Sequence, residues 1–579
     1  MNKNDIFTAL HNKPLPLLAN EINAFTSSEW TSAELQLIEA RGKAYLATPT
    51  PMLPYHLFSE YQKSGNRESY QKPYYDRRGR LMVFAILAWH SKGACDYVNA
   101  LQDIIWEICS EAFWCLPAHF LDANGDDLDF TSYSTTIDLF ASETAFALSE
   151  ALELCCEYLA PNIIAMVDEQ LYKRIFNPFL DNANLHRFET MRNNWSGVCG
   201  GAVGACAIYR IKDTKILSAV LHRVDSSISL YISSFGTDGV CVEGVDYWSY
   251  GFGFYTAYAD LLYKRTGGAL DLLSDEKSKA IASSFSAFYL DGTATISFSD
   301  GSEGSGYRMG LLCYLAKHCK GICVPPVECA AHVLDDTCYR FCLGIRDILW
   351  YDSKVQHSTI TGNTYFANAK YFIAHTGALA LAAKGGNNGE SHNHNDCGSF
   401  IVAKNGVQLL CDLGAGLYDA AYFSDTRYDI FVNRSCSHNV AIIDNNEQKA
   451  GAQYASKNDI ADDNTFSTEL GGCYESDKIK SYLRNIKAEN GSIFLEDTFS
   501  FTNACTVTEI FVSRAPIMLE NNCAYFARGT AELKLQFKSG AASLDETIYT
   551  DHHGNAAIAY RLLITLDAAN KSVFNAIIK

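Results

Sequence analysis

The chain is short of positive charge. Against 66 aspartates and glutamates it carries 47 lysines and arginines, leaving a formal net charge of −19 over 579 residues. A protein this acidic is repelled by phosphate backbones, which argues against general nucleic-acid binding. No uncharged apolar stretch is long enough to span a membrane. The N-terminus, MNKNDIFTAL, has no apolar run of signal length behind a basic start. The 20 cysteines are scattered, with one adjacent pair, Cys155-Cys156, and no Cys-x-x-Cys. That usage points to thiols kept reduced in a cytoplasm. Cys319/Cys323 and Cys338/Cys342 are spaced i, i+4 and read as small buried residues on helices. Disorder is excluded as well, since 48% of the residues are hydrophobic.

What is present divides into two regions. Residues 1–345 read as a large helical domain. In 137–159, Phe140, Ala147, Leu148, Ala151, Leu152, Cys155 and Leu159 share one arc at helical spacing, and Glu143, Glu150, Glu153 and Glu157 fall on the other side. Residues 215–231 repeat the pattern with Leu217, Val220, Leu221, Val224, Ile228 and Tyr231. Similar segments recur at about 81–92, 98–115, 162–176, 198–211, 247–266, 276–290 and 306–319. Residues 346–579 change character, to alternating or β-branched runs with turn signals. Asn405-Gly406 and Asn490-Gly491 each sit between two such runs, a strong hairpin signal. Further strands are predicted at 505–515, 531–537 and 556–567, which argues an antiparallel β-sandwich. The fold class is therefore multidomain α+β, and no low-complexity linker separates the two parts.

The most informative stretch is Gly389-Glu390-Ser391-His392-Asn393-His394-Asn395-Asp396-Cys397-Gly398-Ser399-Phe400. Two histidines lie two apart, flanked by carboxylates, before an apolar run. In a strand, His392, His394 and Asp396 would share one face. Clustered imidazoles can transfer protons or bind a transition metal.

This stretch resembles the heparinase II/III-like polysaccharide lyases. The resemblance continues through Asp412-Leu413-Gly414 with Tyr418, Arg427-Tyr428 and Ser437-His438-Asn439. Upstream it includes Leu116-Pro117-Ala118-His119, Asn193-Asn194-Trp195 with Cys199, and Glu243-Gly244 followed by Tyr247-Trp248 and Tyr250-Gly251. It implies an incomplete (α/α) toroid followed by the β-sandwich. It also implies β-elimination on uronate-containing glycosaminoglycans of hyaluronan, chondroitin or heparan type, leaving 4,5-unsaturated ends. The partner would be an acidic oligo- or polysaccharide, with neither nucleic acid nor membrane, and the expected location of this bacterial-type enzyme is cytoplasmic. Because the chain is so acidic, such a substrate needs a local basic cleft, for which Arg77, Arg78, Arg80, Arg192, Arg427 and Arg434 are candidates.

Elimination at a uronate needs a group that neutralises the carboxylate, a base for the C5 proton and an acid for O4. The resemblance assigns the first role to one asparagine of Asn193-Asn194, with Asn194 preferred, and Trp195 and Arg192 beside it. It assigns the tyrosine shuttle to Tyr247 or Tyr250, with Tyr247 preferred, and the second proton-transfer group to His392. Tyr418, Arg427 and Arg434 would border the substrate, and Glu390 would orient His392 or cap a turn. His394, Asp412 and His438 form a ligand set suited to four-coordinate zinc, which in the family braces the catalytic histidine. This reading needs an irregularity in the hairpin. With a plain two-residue turn at Asn405-Gly406, Asp412 pairs with Ser399 and faces away from His394. A three-residue loop with a bulge over 405–407 would pair it with Phe400 instead.

Three alternatives stay open. One is an alginate or oligoalginate lyase. Another is a glycoside hydrolase on the same toroid, using Glu243 with Glu390 or Asp396 as its carboxylate pair. The last is a non-catalytic carbohydrate-binding protein, which would not need His392 and both tyrosines.

Overall fold

The computed structural model describes all residues except 12–17, 123, 182–184 and 359–361, and the side chains of residues 19 and 20. The chain divides into two compact units. The first comprises 1–235, 249–283 and 306–358, and the second 236–248, 284–305 and 359–579. Two segments that precede residue 346 in the sequence, 236–248 and 284–305, thus belong to the second unit.

The first unit is built from long helices, among them Glu68–His90, Cys95–Cys109, Leu139–Cys155, Asn194–Arg210 and Thr214–Ser234. Helix Leu139–Cys155 packs against both Glu68–His90 and Asn194–Arg210. Of its residues only Glu153 escapes burial, so the side of the helix that carries Glu143 and Glu150 is covered as well. A helix covered on every side buries its polar stripe, and buried carboxylates persist only when paired. Glu150 receives Arg346 at 2.7 and 3.0 Å and the Tyr209 hydroxyl at 3.0 Å.

The same argument removes three arginines from the list of cleft candidates. Arg77, Arg78 and Arg80 are buried on Glu68–His90. Arg78 grips Glu111 bidentately at 2.7 and 2.8 Å, Arg77 reaches the same carboxylate at 2.8 Å, and Arg80 binds Asp76 and the Tyr45 and Thr48 carbonyls. These charges brace helices. Glycines set the spacing of Asn194–Arg210: a Cβ on Gly204 would meet the Tyr258 ring at 2.5 Å, and one on Gly197 the Tyr231 ring at 2.7 Å. Of the i, i+4 cysteines, only Cys342 lies within a helix. Cys319 caps Met309–His318, and Cys323 and Cys338 are in irregular segments. All 20 thiols are free.

The second unit contains a five-stranded antiparallel sheet, ordered Thr364–Phe366, Tyr371–Thr376, Leu379–Lys384, Phe400–Lys404 and Val407–Leu410. A ten-stranded antiparallel sheet includes the long strands Ile479–Glu489, Ser492–Ser513 and Ala556–Ile578. One apolar core joins the inner faces, with Phe372, Leu381 and Phe400 from the first sheet and Ile486, Phe499, Phe511 and Phe574 from the second. The molecule is thus helical in its N-terminal part and an antiparallel β-sandwich in its C-terminal part, as the sequence predicts. No helix among the described residues is long and apolar enough to cross a membrane.

Both Asn-Gly pairs turn hairpins with positive φ at each residue, 50° and 75° at Asn405-Gly406 and 52° and 70° at Asn490-Gly491. The irregularity required for Asp412 exists, but not in the loop. Lys404 pairs with Val407 and Ala403 with Gln408, a two-residue turn, and the register then shifts so that Val402 faces Leu410. The extra residue, Leu409, is wholly buried. Continued by two residues, that shifted register sets Asp412 opposite Phe400.

Candidate active site

His392, His394 and Asp396 do not lie in a strand. These residues form successive turns between Asn387–Asn388 and Phe400–Lys404. His392 sits at φ 58°, a left-handed conformation that costs a non-glycine residue and re-aims its side chain. Asp396 does not share a face with the histidines. It forms a fully buried pair with Lys384 at 2.7 Å. Arg484, held by Asp497 and Glu509, donates to the carbonyls of Gly398 at 2.7 Å and Asn439 at 2.6 Å. One buried guanidinium thereby pins both ends of the motif region.

At the centre of the second unit's polar cluster is Asp300, a residue the sequence reading passed over. Its carboxylate is fully buried and accepts from His392 Nδ1 at 2.6 Å, His394 Nε2 at 3.2 Å, the Tyr418 hydroxyl at 2.8 Å, Arg427 Nη2 at 3.2 Å and the Tyr422 hydroxyl. Burial alone would raise its pKa. The hydrogen bonds from His392 and His394, with the charges of His392 and Arg427, outweigh this and hold it well below the usual carboxylate range. The only trace in the sequence is Ser299-Asp300-Gly301, which reads as an ordinary turn. Ser299 indeed adopts φ 60°.

His392 is held between two carboxylates, with Nε2 3.3 Å from Glu243 Oε2. Burial lowers its pKa, but the bond and charge of Asp300 and the charge of Glu243 win, leaving it raised. Its ring centroid lies 4.5 Å from that of Tyr247. The Tyr247 and Tyr418 hydroxyl oxygens are 2.8 Å apart, and since the Tyr418 proton is on Asp300, Tyr247 donates to Tyr418. Burial and the Asp300 charge push the Tyr247 phenol well above its ordinary pKa, so it is a proton donor at neutral pH.

His394, Asp412 and His438 lie just beneath, all fully buried. One donor atom from each lies within 4.8 Å of the others. His438 Nδ1 is 3.1 Å and His394 Nδ1 3.7 Å from the Asp412 oxygens, close to the edge of about 3.3 Å of a zinc-sized tetrahedron. His394 Nδ1, His438 Nδ1 and Asp412 Oδ2 are buried and, although His438 Nδ1 lies 3.1 Å from Asp412 Oδ2, none of the three is in an aligned hydrogen bond. The outer nitrogens are fixed, His394 Nε2 by Asp300 and His438 Nε2 by the Val432 carbonyl at 3.0 Å. Orphaned donors converging on one point, with the far ring nitrogens occupied, fit a zinc ion.

Other candidates have different surroundings. Arg427 is occupied by Asp300 and the Asn393 carbonyl, Arg434 pairs with Glu447, and Tyr428 donates to Asn393 Oδ1 at 2.6 Å. Glu390 does not orient His392. It accepts from Asn387 at 3.4 Å, and burial, against Lys384, pushes it up to about 7. In the first unit, Asn193 is the N-cap of Asn194–Arg210, accepting from the Trp195 amide at 3.1 Å, and Asn194 is buried in the first turn. The Trp195 ring meets His119 edge-on at 4.9 Å, and His119 Nδ1 lies 2.8 Å from Asp138. Arg192 donates to the Ser233 carbonyl at 3.1 Å. Tyr250 donates to Glu143 beneath the Arg340 guanidinium, 3.9 Å from the ring centroid. Of the two tyrosines, Tyr247 is the one against His392.

Residues 361–500 match the family profile described as heparinase II/III-like, C-terminal. No curated protein sequence matches the chain. Among solved structures, a heparan sulfate lyase HepC mutant from Pedobacter heparinus is similar, at TM-score 0.57 and 12% identity, covering 100% of this chain and 93% of that one. Heparinase III gives TM-score 0.64 and 14% identity, covering 100% and 88%. A chondroitin AC lyase from Streptomyces coelicolor A3, in complex with chondroitin sulphate, gives TM-score 0.53 and 10% identity, covering 98% and 82%. At these identities the likeness carries the fold, a toroid followed by a sandwich. Residues 361–500 thus match a heparinase II/III-like C-terminal domain, on a chain whose fold is similar to that of these solved lyases.

Proposed function

We propose that the protein is a polysaccharide lyase that cleaves uronate-containing glycosaminoglycan chains or oligosaccharides by β-elimination. The observation that carries this reading is the contact of the His392 ring with Tyr247, with His392 Nδ1 on the buried Asp300. A carboxylate on Nδ1 fixes the tautomer in which Nε2 bears the lone pair. His392 Nε2 takes the C5 proton, and the C5–H electrons form the C4–C5 double bond as the C4–O4 bond breaks. Tyr247 gives its hydroxyl proton to the departing O4; His392 then releases the C5 proton to solvent, and Tyr247 recovers one from solvent, which restores both groups. Charge on His392 is stabilised between Asp300 and Glu243. By resemblance, Asn194 neutralises the substrate carboxylate. His394, Asp412 and His438 would hold zinc, whose contribution when bound is to brace the loop that carries His392.

A glycoside hydrolase draws less support, because Asp396 is consumed by Lys384. An alginate-type substrate remains the alternative within the lyase reading. The test is ultraviolet absorbance during incubation with hyaluronan, chondroitin, heparan and alginate oligosaccharides. The expected result is a rising signal on a glycosaminoglycan, reduced about 10²–10⁴-fold in Tyr247→Phe and His392→Ala and within about tenfold of wild type in Tyr250→Phe. New reducing ends without absorbance would overturn elimination.

A further inference from the structure

Asp300 Oδ2 serves two donors at once. It receives His392 Nδ1 at 2.6 Å and the Tyr418 hydroxyl at 2.8 Å. The Tyr418 oxygen lies in turn 2.8 Å from the Tyr247 oxygen. Tyr418 therefore stands between the proposed acid, Tyr247, and the carboxylate that holds the proposed base, His392. Its ring is held by packing, with the ring centroids of Tyr422 at 4.9 Å, Phe423 at 5.0 Å and His552 at 4.5 Å. What can move is the hydroxyl proton, which rotates between two acceptors without a shift of the ring.

In the resting site the Tyr418 proton is on Asp300 and Tyr247 donates to Tyr418. Loss of the Tyr247 proton to O4 changes the balance. A phenolate only accepts, and in a half-buried position it needs a donor. Asp300 can release one. When Tyr418 turns away, Oδ2 keeps His392 Nδ1, and Oδ1 keeps His394, Arg427 and Tyr422, so no buried oxygen is orphaned. Burial raises both phenols above their ordinary pKa. The bond between them opposes that rise at Tyr247 and adds to it at Tyr418, so Tyr247 is the phenol that ionises and Tyr418 the one that keeps its proton.

We propose that Tyr418 is a positioning residue for the elimination: its hydroxyl turns from Asp300 to Tyr247 as the proton leaves for O4, and stabilises the phenolate that remains. This deepens the lyase reading and rests on it. The Tyr418 O–H bond stays whole throughout, so the proton balance of the elimination is unchanged. When Tyr247 recovers its proton, Tyr418 turns back to Asp300.

The experiment uses the full chain. Tyr418→Phe removes the hydroxyl and keeps the ring. On the uronate oligosaccharide that wild type cleaves, kcat should fall about ten- to hundredfold, with KM within about twofold. On a uronate that carries an aryloxide at C4, a leaving group that departs without a proton, kcat should stay within about twofold of wild type. An equal loss on both substrates, or a loss confined to KM, would overturn the proposal while leaving the lyase reading intact. A second measurement needs no turnover. Tyr247 is replaced by a fluorinated tyrosine that ionises near neutrality, and its titration is followed by fluorine NMR. The midpoint should rise by about one pH unit in Tyr418→Phe, and an unmoved midpoint would overturn the donor role. If wild type cleaves no uronate at all, the lyase reading fails and this titration alone decides whether Tyr418 stabilises the Tyr247 anion. Should Tyr418→Phe not fold, a fluorinated tyrosine at position 418, close in shape and a stronger donor, should raise kcat, and a lowered kcat would overturn the proposal.

Discussion

His392 Nδ1 lies 2.6 Å from Asp300 Oδ2, joining a motif loop to a segment 92 positions earlier in the chain. The other oxygen of the same carboxylate receives His394 Nε2 at 3.2 Å. Asp300 is thus the common support of the proposed base and of one proposed metal ligand.

Asp300→Asn keeps the shape and removes the charge. The amide can present a donor to His392 Nδ1, so the tautomer that exposes the Nε2 lone pair is lost. The expected fall in kcat is about 10²–10⁴-fold. Loss of charge-assisted bonds from Tyr422 and Arg427 should also cost about 1–3 kcal/mol of stability. Steady-state ultraviolet assays and denaturant unfolding check both. Full activity in this variant would remove Asp300 from the mechanism.

For the metal, elemental analysis of the purified protein should find about one zinc per chain, and Asp412→Ala should lack it. Ligand binding stabilises by about 2.7 kcal/mol at a free concentration one hundred times Kd. A strong chelator should therefore lower the melting temperature of wild type, and added zinc should restore it, while Asp412→Ala responds to neither. Equal melting of wild type with and without chelator, with no metal in the analysis, would leave a hydrogen-bonded His–Asp network instead.

Glu143 makes the first unit sensitive to pH. Burial, opposed by Arg340 and the Tyr250 hydrogen bond, pushes its pKa up to about 7 from an ordinary 4.5. A carboxyl raised in the fold stays protonated there after the unfolded chain has ionised. Its stabilisation is complete below the unfolded value and is lost as pH rises from about 4.5 through about 7, amounting to roughly 3 kcal/mol at most. Glu143→Gln should flatten this part of the stability–pH curve. An unchanged curve would mean that Glu143 ionises freely in the fold.

Arg484 is 1% exposed and satisfies two carboxylates and two carbonyls. Arg484→Met would leave Asp497 and Glu509 buried without their cation, an expected loss of about 3–5 kcal/mol in denaturant unfolding. Because the guanidinium also pins Gly398 and Asn439, zinc retention should fall with it. A stable variant with full metal content would show that the loop is held by other contacts.

The sequence by itself determined the two-part architecture and the Asn-Gly hairpins, because each is written in short-range periodicity or turn chemistry, and it singled out His394, Asp412 and His438, whose donor atoms the fold brings within 4.8 Å of one another. Even the displaced Asp412 register was legible as a requirement, though its means, a bulge at Leu409, was not. The tertiary structure alone decided that Glu143 and Glu150 are buried, since a helix pattern shows which residues share a face but not how many faces are covered. It alone decided that Arg77, Arg78 and Arg80 brace helices, because their partners lie far away in sequence. It alone brought Asp300 under His392. An aspartate in a Ser-Asp-Gly turn looks like any other turn residue until the fold removes water from around it and points five donors at its two oxygens.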